Sequence, residues 1–70
     1  MPTFQVTYFN AEDEKIDEES IFMKSLAFAK RSALIHAPDQ ACSIEIKDLM
    51  EVTLTSYRLE EGWIDTESET

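Results

Sequence analysis

Fifteen carboxylates, one imidazole and one thiol are the groups from which this chain could build chemistry, and the carboxylates fall in runs. Glu12, Asp13 and Glu14 form one run and Asp17, Glu18 and Glu19 a second, with Glu45, Asp48, Glu51, Glu60, Glu61 and Asp65 spread behind them. Paired carboxylates serve as general acid and base when a pocket drives their pKa values apart, and a chain of 70 residues seldom folds around a deep pocket. Clustered carboxylates also hold calcium. The first run, however, lacks the glycine at the sixth loop position and the bidentate Glu at the twelfth that an EF-hand needs, so it reads more simply as a solvated loop whose charge discourages aggregation. His36 has no nearby Cys and no second His, and sits where a helix C-terminus would favour positive charge, which suits a structural or surface role. Cys42 reads as a small strand residue facing the core rather than a nucleophile. One Gly and one His leave no phosphate loop, no zinc set and no Ser-His-Asp triad. The residues indicate a protein that is not an enzyme, with no metal and no cofactor.

What remains for the carboxylates is to bind cationic protein. The net charge of -9 is unevenly spread: residues 1–19 carry -5, residues 20–37 carry +3, and residues 38–70 carry -7. Such a field repels nucleic acid and membrane surfaces and attracts basic partners. No apolar run reaches the ~20 residues that span a bilayer, and the N-terminus lacks a basic region followed by an apolar one. A single Cys excludes an internal disulfide framework and suits a reducing compartment, so a cytoplasmic location is expected.

The elements that must position these groups centre on residues 16–38. Phe22, Met23, Leu26, Ala29, Ala33, Leu34 and Ala37 fall on one broad face at helical spacing, which predicts an amphipathic helix. Asp17 or Ser20 would cap its start, with the second acidic run in the first turn, and Pro38 would stop it near His36 or Ala37. Ile21, Phe28 and Ile35 recur every seven residues as a second stripe on that helix. Either the stripe packs against a second copy, giving a homodimer, or it lies under a neighbouring loop or terminus. A dimer would add buried apolar surface to the modest core of so short a chain.

Before the helix, Thr3 to Phe9 alternates and is rich in aromatic and β-branched residues, predicting a strand with Phe4, Val6 and Tyr8 facing the helix. Asn10 to Lys15 reads as a charged connector. After the helix, Cys42, Ile44 and Ile46 alternate with Ser43, Glu45 and Lys47 in a second strand, and Glu51 to Leu59 forms a third. Glu60-Glu61-Gly62 reads as a hairpin loop with Gly in the left-handed conformation, returning Trp63 and Ile64 as a short fourth strand or a cap. Residues 66–70 read as an acidic disordered tail to a single domain of residues 1–65. The expected fold is α+β, in the order β-α-β-β with a possible further β, one helix on a small antiparallel sheet. Its wet face would present Glu45, Glu51, Thr53, Thr55 and Tyr57.

A small acidic chain with a strand TFQVTYF, a helix SIFMKSLAFAKRSALIHA and a closing pair SIEIK and VTLTSYRL resembles the host-takeover proteins of bacteriophages. The nearest in character are the DNA mimics that inhibit the bacterial nucleoid protein HU; phage inhibitors of CRISPR complexes and RNA polymerase are similar in size. The likeness lies in length, charge and element order and involves no specific motif. It implies an inhibitor in the bacterial host cytoplasm whose acids replace phosphates on a basic, HU-like DNA-binding protein. No residue carries over from the likeness; the carboxylates that could approximate a duplex's charge array, and so bind the partner, are Glu12, Asp13, Glu14, Asp17, Glu18, Glu19, Glu45, Asp48, Glu51, Glu60, Glu61 and Asp65. The alternative is an inhibitor or adaptor that docks on polymerase, a CRISPR complex or another enzyme through a specific patch, such as the sheet edge or the Tyr57 and Trp63 region.

Overall fold

A computed structural model describes residues 3–65. The elements are β1 (Thr3–Phe9), β2 (Lys15–Phe22), α1 (Leu26–His36), β3 (Ser43–Lys47), β4 (Thr53–Arg58) and β5 (Gly62–Asp65). The strands form one sheet in the order β2-β1-β3-β4-β5, and every neighbouring pair is antiparallel. The fold is thus α+β, one helix against an antiparallel sheet. Because β2 and β3 both run opposite to β1, which lies between them, they run the same way, and α1 is the crossover that joins them.

The core lies between α1 and one sheet face. Phe4, Val6 and Tyr8 of β1 and Ile44 and Ile46 of β3 are buried against Ala29 and Ala33 of α1. This is the alternation expected of β1 and β3. Two alanines at the contact leave only methyl groups between backbone and sheet, so the helix can sit close. Tyr57 and Trp63 close one flank with their rings 5.0 Å apart, and Lys30 Nζ lies 5.6 Å above the Trp63 ring.

The helix begins later than its spacing suggests. Residues 15–22 form β2, and α1 starts at Leu26 behind Ser25, whose backbone is extended and whose side chain makes no capping hydrogen bond. Neither Asp17 nor Ser20 caps it, and its first turn holds no acid. A β-bulge explains why the strand was hidden: the register shifts between Tyr8 and Phe9, so Phe9 faces Lys15 while Tyr8 faces Asp17, and Ile16 is the extra residue. Ile16 and Ile21, five apart, would point to opposite faces of a regular strand; the added residue lets both pack on the core. Ile21 is therefore a strand residue at the core margin rather than part of a helical stripe, while Phe22 and Leu34 face solvent instead of the sheet. The helix does end at His36, with Ala37 extended ahead of Pro38.

A second bulge re-aims β4. Ile46 pairs with Thr55 but Lys47 with Thr53, leaving Leu54 extra. Thr55 and Tyr57, opposite Ile46 and Ile44, therefore lie on the helix side, and Thr55 is fully buried with its hydroxyl donating to the Ile64 carbonyl at 3.0 Å. Neither belongs to the wet face assigned to it from alternation. Glu51 lies in the β3-β4 turn at φ 65° rather than in a strand, and borders the open face from there. Cys42 precedes β3, half-buried, its thiol directed at the Gln40 carbonyl 3.8 Å away, rather than facing the core from within a strand. The tail at 66–70 lies outside the described residues.

Gly62 opens β5 at φ 78°, the left-handed conformation expected for this hairpin. A Cβ there would meet no atom within 4 Å, so backbone strain alone sets the effect of substitution. Gly62→Ala is expected to destabilise the fold by about 1–2 kcal/mol, read as a lower urea midpoint, with Gly62→Asn closer to the parent.

Candidate functional site

Six of the acids are gathered on the β1-β2 hairpin. Asn10 builds its turn: the side-chain oxygen accepts from the Glu12 and Glu14 amides at 2.8 and 3.0 Å, and the Asn10 amide donates to the Glu14 carbonyl at 3.0 Å. Asp13 takes the left-handed conformation at φ 63°, which Asp tolerates better than most residues. With the backbone satisfied locally, Glu12, Asp13 and Glu14 project into water. Asp17 and Glu18 continue the ridge along β2, an edge strand, where charge also blocks pairing with foreign strands.

Within the ridge the acids differ in what they can offer. Lys15 Nζ lies 3.2 Å from Glu18 Oε1, an exposed pair that water screens. Glu19 is committed internally: Tyr8 donates its hydroxyl to Glu19 Oε2 at 2.7 Å, and His36 Nδ1 stands 3.6 Å from the same oxygen. That cluster ties β1, β2 and the end of α1 together, so Glu19 is a structural carboxylate. Asp48 is committed too, accepting from the Met50 and Val52 amides at 2.9 and 3.0 Å to shape the β3-β4 turn.

The other acids divide between the two ends of the sheet. At the end carrying the β1-β2 turn, the β4-β5 turn adds Glu60 and Glu61, and the two turns flank a cleft of about 260 Å³ that includes Asp13, Glu60, Cys42 and Arg58. Near the opposite end a smaller hollow of about 150 Å³ on the open face brings Glu18, Asp48 and Glu51 beside Lys47. Glu18, Thr7, Glu45 and Ser56 stand in one row across that face, with Lys47 Nζ 3.9 Å from Glu45 Oε1. The carboxylates thus form one dense ridge and two smaller groups, each with a cation among them, instead of a uniform array. Asp65 lies in β5 opposite Thr55.

Among the described residues, no three His, Cys, Asp or Glu converge as metal ligands, and no helix is long and apolar enough to cross a membrane.

One surface was not anticipated from the residue pattern. Leu49, Met50 and Val52 form an exposed apolar tip on the β3-β4 hairpin, with Met50 82% exposed. The unalternating Leu-Met pair behind a turn-forming Asp was the available signal. The Tyr57 and Trp63 region, by contrast, is partly buried against the core. On the outer side of α1, Phe28 and Ile35 of the expected second stripe do face solvent, and Leu34 joins them. Comparison with protein-family models, curated proteins and solved structures gave no match to this chain.

Proposed function

We propose that this chain is an acidic binding module, without enzymatic activity, that occupies the DNA-binding surface of a basic bacterial DNA-binding protein of the HU type, in the cytoplasm of a bacterial host. The observation that carries the reading is the hairpin ridge. Glu12, Asp13, Glu14, Asp17 and Glu18 are solvent-exposed and gathered on one hairpin whose turn is fixed by Asn10, with Lys15 the one cation among them. Glu12, Asp13 and Glu14 crowd the turn while Asp17 and Glu18 stand on the two faces of β2, so the ridge offers anionic oxygens from both faces of the edge to Lys and Arg that otherwise grip phosphates. A target that binds DNA through its backbone, without reading base edges, asks for little more than charge and spacing.

Titration of an HU-type protein with this chain is expected to give a complex that duplex DNA displaces and that weakens steeply between about 50 and 200 mM salt. Replacing Glu12, Asp13 and Glu14 with Gln, Asn and Gln should reduce affinity by about tenfold or more, at about 1.4 kcal/mol per tenfold, with the circular dichroism spectrum unchanged. Binding that ignores both salt and these substitutions would reject the reading.

A second reading draws on the hairpin tip. Leu49, Met50 and Val52 would suit docking on a host enzyme through an apolar patch, with affinity insensitive to salt and abolished by Met50→Glu.

A further inference from the structure

We infer that the outer face of α1 is an interface for a second copy of this chain. The helix buries Ala29 and Ala33 and half-buries Leu26 against the sheet. At 100° per residue, Phe28, Arg31, Leu34 and Ile35 occupy the opposite side. Phe28 is 47% exposed, Leu34 44% and Ile35 72%, and the Arg31 guanidinium lies over the Phe28 ring at 5.9 Å. A surface helix is ordinarily polar on its outer side; one that is apolar on both sides has the pattern of an element covered on both.

Charge selects the occupant. Residues 20–38 contain no acid and three cations in a chain of net charge -9; Lys30 is turned toward the Trp63 ring, and the exposed Lys24 and Arg31 give the outer stripe its charge. Beside this cationic stripe runs the acidic edge of β2, held against the end of the helix by the approach of His36 to Glu19. One side of the molecule therefore carries an apolar, cationic stripe next to an anionic ridge. A surface of that kind complements itself when turned about a two-fold axis, stripe meeting stripe while the cations of each copy face the ridge of the other. An anionic lipid surface would meet the same net negative charge with no cations of its own to offset it. A standard interface takes about 800 Å² from each partner, about a sixth of the 4700 Å² this chain exposes, and the two longer extents of 29 and 25 Å accommodate it. The inference stands independently of the function proposed above.

Sedimentation equilibrium of the full chain, at micromolar to sub-millimolar concentration, is expected to give a monomer-dimer equilibrium. Phe28→Glu, Ile35→Glu and Arg31→Glu should each weaken association by about tenfold or more without altering the circular dichroism spectrum. Met50→Glu, on the hairpin tip, should leave it intact. A monomeric parent chain throughout that range would overturn the assignment, as would a dimer that survives the helix substitutions or is lost only with Met50→Glu. Binding of the monomer to anionic phospholipid vesicles, lost in Phe28→Glu, would assign the stripe to lipid and overturn it equally.

Discussion

Ile46→Ala is expected to remove about 2–5 kcal/mol of stability from a domain whose length sets its total at about 4–10 kcal/mol. Ile46 is fully buried on β3, with Val6 of β1 and Thr55 of β4 on either side and the α1 alanines above. All four of those neighbours are small or medium in size, so none can swing into the space left by the lost carbons. Ala29 and Ala33 end in methyl groups already, and β-branching restricts the rotamers open to Val6 and Thr55. The cavity therefore persists, which places the loss toward the upper part of the range. Urea denaturation should give a much lower midpoint with the slope preserved. A loss under about 1 kcal/mol would mean that the helix settles onto the sheet and fills the gap.

Tyr8 is expected to set the alkaline limit of the fold. Burial raises its pKa well above the ordinary phenol value, and the hydrogen bond to Glu19 and the negative charges of Glu19 and Asp17 raise it further. The folded chain thus holds a proton that the unfolded chain releases from about pH 10 upward. Below that pH the contribution of Tyr8 is constant. Above it the unfolded state binds fewer protons, so stability falls by about 1.4 kcal/mol per pH unit until the folded phenol also ionises. Tyr8→Phe forgoes a hydrogen bond to a carboxylate, about 1.5–3 kcal/mol at neutral pH, and removes this part of the alkaline slope. The stabilities of the two proteins should accordingly converge as pH rises. Tyr57 is common to both, so the difference isolates Tyr8. Parallel curves through pH 11, measured by urea midpoint, would show that Tyr8 ionises as freely in the folded chain as in the unfolded one.

The acidic runs, the cationic helix and the inward alternation of Phe4, Val6 and Tyr8 and of Ile44 and Ile46 were all legible from residue order. Each depends on neighbours in the chain: a regular strand alternates strictly, and Pro38 ends a helix by its own geometry. Gly62 belongs with them, since the left-handed turn is a demand the hairpin makes locally.

Tertiary structure decided which acids are free and where the apolar residues of 15–23 go. Two bulges, each one extra residue, reversed the expected facing of β4 and turned the start of a helix into an edge strand. A bulge is fixed by pairing between distant strands and leaves little trace in either strand alone. For the same reason Glu19 and Glu18, adjacent and chemically alike, differ in what they can bind. Glu19 is taken up by Tyr8 from eleven residues away, while Glu18 faces water and pairs with the exposed Lys15. The α+β class and the sign and placement of the charge are written in residue order, because they follow from local pattern and composition. Only the folded chain decided which carboxylates remain for a partner, because that depends on what long-range pairing places next to each one.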